Sequence, residues 1–189
     1  KALDRDANLI APVQSLNYPP DPRSPWTEAM RELVKAKCFG WNEGECDVIF
    51  IDAERTQFVR GGWLEEFAFH IVHDEKPFDA RMGVEVLPEG GDKARNEFDV
   101  LACHGNQMLF VECKTLKFEE GRNDNDLAYK LKSLGETARG LFGETWLLSA
   151  QSPTPMLEER ARQALIRLIG PADLPKLRET VQQWMNPTK

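Results

Sequence analysis

Asp99, Glu112 and Lys114 are the residues of this chain whose types and spacing could do chemistry together. Asn96–His104 and Gln107–Thr115 read as strands, and Gly105-Asn106 between them as a two-residue turn of primed geometry. Such a turn sets the register, so Asp99 faces Glu112 and Glu97 faces Lys114, all on one side of the hairpin. The two carboxylates then stand with Cβ atoms about 5 Å apart. Like charges that close repel, and a cation between them removes the repulsion. Hard oxygen donors beside an ammonium suit Mg²⁺ or Mn²⁺, and the backbone carbonyl of Cys113 offers a third oxygen. An ion there would acidify a water and neutralise charge on a phosphodiester. Lys114 would orient or deprotonate that water. The competing reading is a solvated hairpin face carrying salt bridges such as Glu97–Lys114, which contribute little. Against it, Leu109 and Phe110 are apolar on both faces of the strand, and Val111 and Cys113 alternate with Glu112 and Lys114. A strand buried on both sides has no casual use for a Glu–Lys pair.

The elements that must position this hairpin can be read around it. Gly61-Gly62 precedes a helix in which Leu64, Phe67, Ala68 and Ile71 recur at helical spacing as a buried stripe. An acid on that helix would complete the site. Glu65, one step off the stripe, is the choice, with Glu66 in reserve. A first strand over Ala80–Leu87 turns through Pro88–Gly91 into the Asp99 strand. After the hairpin come a polar loop over 118–125, a helix over about 126–139, and a buried strand over Thr145–Ser149. A helix over Thr154–Ile169, stopped by Gly170-Pro171, and a last helix over Leu174–Trp184 close the chain. The expected class is α/β with a mixed sheet: helix, three-stranded meander, helix, strand, with C-terminal helices. Residues 61–189 form this domain.

Residues 1–60 read as an attachment. The first 25 residues, rich in Pro, suggest an extended lead-in. Ser24-Pro25 opens a helix running to about Lys37. Val48–Ile51 and Gln57–Val59 follow as two short strands. Helix plus ribbon suggests either a small winged-helix-like module or a packing subdomain, and no basic recognition helix accompanies it.

Composition narrows the classes. The chain has 189 residues, 41% hydrophobic and 29% charged, enough for one domain and a smaller attachment. No run of about 18 apolar residues is present, so no membrane-spanning helix is expected. The chain begins at Lys1 without a signal-peptide pattern and reads as an excised or trimmed piece. Cys38, Cys46, Cys103 and Cys113 form no C-x-x-C pair and read as free thiols of a reducing cytoplasm rather than zinc ligands. A net charge of −7 argues against a large duplex interface, but a single strand needs only a local cationic groove. Lys130 and Ser133, three apart on one helix face, are candidates for nucleic-acid phosphates or ordinary surface residues. The same holds for Lys117, Arg122 and Arg139. His70, His73 and His104 are too scattered for a metal triad, and no phosphate-cradling glycine loop occurs.

At Glu65, Asp99 and Glu112-Cys113-Lys114, in that order of elements, the chain resembles the PD-(D/E)XK nuclease superfamily, whose core is restriction-endonuclease-like. A narrower resemblance is to CRISPR-associated nucleases that join a CARF sensor domain to such a nuclease. It rests on Gly61–Phe67, Asn96–Val100, Glu112–Thr115 and Tyr129–Leu134. The resemblance implies a homodimer activated by cyclic oligoadenylate that cuts single-stranded DNA or RNA, or nicks DNA, with Mn²⁺ or Mg²⁺. The sensor would need a Rossmann-like domain that these residues do not supply. Ligand control is therefore expected only through a separate sensor. Two other readings stay open: a nuclease-like fold that binds nucleic acid or a partner without cutting, and a hydrolase using Glu65 and Asp99 as an acid–base pair.

Overall fold

Two helix starts in the N-terminal part are written in side-chain oxygens. Ser24 Oγ accepts the Thr27 N–H at 3.2 Å ahead of α1 (Pro25–Lys35), with Pro25 at the first helical position. Asp52 Oδ1 accepts the Arg55 N–H at 2.8 Å ahead of α2 (Ala53–Gln57). The computed structural model describes residues 13–86, 96–115 and 143–187, and the chain divides into two compact units, Lys1–Gly62 and Trp63–Lys189.

In the first unit, β1 (Val13–Ser15), β2 (Phe39–Gly40) and β3 (Asp47–Phe50) form an antiparallel sheet in the order β1-β3-β2. Met30, Cys38, Phe39 and Val48 are its core. Two expectations fail here. Part of the Pro-rich lead-in is strand, because β1 pairs with β3. Gln57–Val59 is helical, since the Asp52 cap starts a helix that continues through a π-type turn over Phe58–Gly62. The partners of β3 are therefore β1 and β2, and the expected ribbon is absent.

The second unit begins with α3 (Trp63–Asp74), then β4 (Asp79–Val86), β5 (Asn96–His104) and β6 (Gln107–Lys114). It continues with β7 (Gly143–Ser149), α4 (Pro155–Gln163), β8 (Ile166–Ile169), a 3₁₀ turn over Leu174–Lys176 and α5 (Leu177–Met185). The sheet order is β4-β5-β6-β7-β8. The first three strands are an antiparallel meander, and β7 and β8 add in parallel. This is the mixed sheet expected. The helix expected over 126–139 and the turn at 88–91 lie outside the described residues.

Gly105 and Asn106 both have left-handed backbones, φ 56° and 65°, as a type I′ turn requires. The β5–β6 register follows: His104 pairs with Gln107 and Val100 with Val111. On one face of the sheet α3 and α5 bury Leu64, Ala68, Val72, Leu177, Val181 and Trp184 against Val100, Leu109, Val111, Cys113, Trp146 and Leu148. The buried stripe of α3 is thus Leu64–Ala68–Val72, and Phe67 and Ile71 flank it half-buried. Arg178 on α5 bonds Asp74 at 3.2 Å and also Glu75, tying the C-terminal end of α3 to α5. Elsewhere in the sheet Leu147 and Ile166 pack with Leu157 and Ala161 of α4.

The helix expected to run to Ile169 instead ends at Gln163, and Leu165 takes a left-handed backbone, φ 56°. Ile166–Ile169 then lies beside β7, pairing Thr145 with Ile166 and Leu148 with Ile169. A short apolar run fits either period, and the open edge of β7 decides for strand.

Leu64 is fully buried at the seam of α3 and the sheet. Leu64→Ala is expected to cost about 2–5 kcal/mol, the range for a buried leucine cavity, measurable by denaturant unfolding. A loss under about 1 kcal/mol would mean that this seam is held by other contacts.

Candidate active site

The strands part where the acids lie. β5 pairs with β6 only as far as Val100↔Val111. Beyond that point β5 stays with β4, through Val84↔Phe98 and Glu85↔Glu97. β6 goes on with β7 alone, through Glu112↔Leu147 and Lys114↔Ser149. Asp99 and Glu112 therefore sit at the fork and are not a ladder pair, which corrects the geometry expected from a continuous hairpin. The alternation breaks there as well. Phe98 packs against Phe110 with tilted rings and centroids 4.9 Å apart, whereas strict alternation would place it on the face of Val100 and Ala102.

Across the fork, the Cys113 N–H donates to Asp99 Oδ2 at 2.5 Å, a side chain standing where a strand carbonyl would otherwise accept. Glu112 is 3% exposed, and its Oε1 accepts from Lys114 Nζ at 2.6 Å. The Ala150 N–H donates to the Lys114 carbonyl at 2.9 Å, extending the β6–β7 ladder past the fork. From α3, Glu65 is half-buried and feels the charges of Lys114, Glu97 and Glu112, while Glu66 is exposed.

Electrostatics follow from this crowding. Burial, then the neighbouring Glu112 charge, pushes the Asp99 carboxyl up to about 7, against the lowering effect of the Cys113 bond. Burial also raises Glu65, with Lys114 opposing. Burial alone would push the Lys114 ammonium down, but Glu112 and then Asp99 reverse this and hold it above the usual lysine value. Burial and the Asp99 charge raise the Cys113 thiol far above its ordinary value, so it stays neutral. Its Sγ lies 3.8 Å from the Leu64 carbonyl, which seats β6 on the first turn of α3 beside Glu65.

The donor set can be tested against a divalent cation. Three carboxylates share a partly buried space with one ammonium, and burial, then the Glu112 charge, raises the Asp99 carboxyl. Among the described residues no three His, Cys, Asp or Glu side chains form a ready-made metal cluster. The set fits an ion such as Mg²⁺, which takes one or two protein carboxylates and completes its shell with water and substrate phosphate.

Glu65, Asp99, Glu112, Cys113 and Lys114 are thus brought to one region, whereas Lys130 and Ser133 lie outside the described residues. His70 and His73 are exposed beside Phe69, with ring centroids 5.6 and 5.4 Å from it. All four cysteines are free. Two features escaped sequence reasoning. The charge of Glu97, expected opposite Lys114, raises Glu65, and Gly83 lies on β4 between the Met82↔Val100 and Val84↔Phe98 pairs that flank Asp99. A glycine inside a strand was the available signal for the second.

A helix packed on a mixed sheet whose second and third strands gather Asp, Glu and Lys is the arrangement that the sequence led us to expect of a nuclease. The family described as Card1-like, endonuclease domain, matches residues 52–188, well over half of the chain. The chain belongs to the Card1-like endonuclease domain family. Among solved structures it is similar to protein VC1899 from Vibrio cholerae, with 30% identity and a TM-score of 0.72 over 85% of this chain and 42% of that one. It is also similar to Can2 from Sulfobacillus thermosulfidooxidans, solved in complex with cyclic tetra-adenylate. There the identity is 21% and the TM-score 0.71, over 93% of this chain and 48% of that one. The chain thus spans less than half the length of either. No curated relative matches the sequence. Among the described residues no helix is long and apolar enough to cross a membrane.

Proposed function

We propose that this endonuclease domain hydrolyses phosphodiester bonds of DNA and/or RNA, in single strands or by nicking, with Mg²⁺ or Mn²⁺ bound at the fork. The observation that carries the reading is the buried Glu112 carboxylate paired with Lys114 at 2.6 Å, beside the elevated Asp99 carboxyl. Asp99 and Glu112 would hold the ion, with the Cys113 carbonyl and Glu65 as further oxygens. Bound there, a divalent cation supplies Lewis-acid polarisation of the scissile phosphate and acidifies a water. Lys114, kept cationic by Glu112, would place a point charge against a phosphate oxygen and hold the attacking water. Glu112 fixes the rotamer of Lys114, and the Cys113 N–H fixes that of Asp99, so both groups are positioned before substrate arrives.

Lys130 and Ser133 are assigned to phosphate contacts on the strand being cut. The domain would act in the cytoplasm as a homodimer, the effector part of a CRISPR ancillary nuclease. Can2 binds cyclic tetra-adenylate, and control by a cyclic oligoadenylate would reach this domain through a sensor. The deciding experiment incubates the chain with single- and double-stranded DNA and RNA, with Mn²⁺, Mg²⁺ or EDTA. Cleavage of at least one substrate with metal and none in EDTA is expected. Metal-independent cleavage, or none under any condition together with no Mn²⁺-induced rise in Tm, would overturn the proposal.

A further inference from the structure

Beyond the fork β4 keeps pairing with β5. Between Asp79 and Val86 the β4–β5 ladder lacks one pair, the one joining Gly83 to Asp99, although Met82↔Val100 and Val84↔Phe98 keep one register on either side. Gly83 has φ +64°. The other described residues with left-handed backbones (Lys37, Gly44, Lys76, Gly105, Asn106 and Leu165) all lie between elements, so Gly83 is the one inside a strand. It is exposed, and a Cβ placed on it would meet nothing nearer than Glu97 Oε1 at 3.9 Å. Space for a side chain is therefore available. What the position demands of its residue is the backbone conformation.

We infer that Gly83 is a positioning residue for cleavage: its left-handed backbone lets β4 turn with β5 at the fork, holding the Asp99 carboxyl off the ladder and on the Cys113 N–H. This rests on the proposed role of Asp99 in holding the cation. The causal order is local. A regular residue at 83 would favour straight strand, a straight β4 would carry β5 on alongside β6, and the Cys113 N–H would then meet a backbone carbonyl. Asp99 would lose the bond that orients it. The competent arrangement would become the minor one, and apparent cation affinity falls by the fraction lost.

The test is a series at 83 in the whole chain, read as the Mn²⁺ concentration for half-maximal cleavage and as Tm in EDTA. Gly83→Ala is expected to need about tenfold more Mn²⁺, following the cost of a left-handed backbone for a residue with a Cβ. Gly83→Val should need more still, because a β-branched side chain tolerates that region least. Gly83→Asn should restore the midpoint to within about threefold, since Asn visits the left-handed region readily. An Ala variant with the parental midpoint overturns the inference even if its Tm drops, because Gly83 then matters to stability alone. An Asn variant as impaired as Ala also overturns it. If Ala or Val fails to fold, the folded Asn variant decides by the same criterion. Asp99→Asn in parallel separates the two levels: an unchanged Mn²⁺ midpoint there sinks the proposed metal role itself, whereas a lost response there beside parental behaviour of Gly83→Ala sinks only the inference about Gly83.

Discussion

Lys114→Ala is expected to lower the rate of cleavage at saturating Mn²⁺ by about 10²–10⁴-fold, the range for a positioned proton-transfer or charge-stabilising group. The physical case is that Nζ stands 2.6 Å from a carboxylate that is 3% exposed. A carboxylate so buried, held by an ammonium at the edge of that burial, does little for stability that apolar residues would not do as well. The truncation should also destabilise the fold, because it removes the ammonium that faces the buried Glu112 carboxylate. Activity and stability therefore have to be separated. The double variant Glu112→Gln/Lys114→Met removes both charges, so its melting temperature should recover towards the parent while cleavage stays lost. Recovered stability with recovered cleavage would remove the pair from the chemistry. So would an unimpaired Lys114→Ala.

The second large effect concerns pH. In the metal-free chain the Asp99 carboxyl is pushed up to about 7 from an ordinary value of 3.8. A carboxyl raised in the folded state favours folding while protonated. That contribution is complete below the ordinary value and is lost as pH climbs through about 7. The difference corresponds to at most about 4 kcal/mol, and Glu65, raised in the same direction, adds to the trend. Melts in EDTA should therefore show the parent losing stability from pH 5 to pH 8. Asp99→Asn keeps an acceptor for the Cys113 N–H but has no charge to bury. It should melt several degrees higher than the parent at pH 8 and differ little at pH 4. A divalent cation should raise the parent's Tm at pH 8 and leave the variant unmoved. Equal pH dependence in the two proteins would show that burial of Asp99 is relieved by water or local motion.

Both effects start from charged groups that burial makes unfavourable in the metal-free chain. Residues that a purely structural sheet would replace with valine or leucine are held by their neighbours instead: Asp99 by the Cys113 N–H, Lys114 by Glu112, and Glu65 on the helix turn whose Leu64 carbonyl meets Cys113.

How much of this was legible depended on the distance over which each feature is decided. The turn at Gly105-Asn106, the two strands it joins and the start of α1 at Ser24 are settled by a few adjacent residues, so reading them along the chain succeeded. The gathering of Asp99, Glu112 and Lys114 was legible because a two-residue turn leaves the two strands almost no choice of register. The fork was not legible. Local alternation predicts a continuous ladder, and whether β5 follows β4 or β6 beyond Val100 is a contest between partners far apart in sequence. The strand at Ile166–Ile169 was hidden likewise, since only the open edge of β7 turns a helix-compatible apolar run into a strand. Residue order and turn chemistry alone brought Asp99, Glu112 and Lys114 to one region. The partition of backbone hydrogen bonds among the strands decided that those groups lie at a fork rather than in a closed ladder, because β5 continues with β4 and β6 with β7.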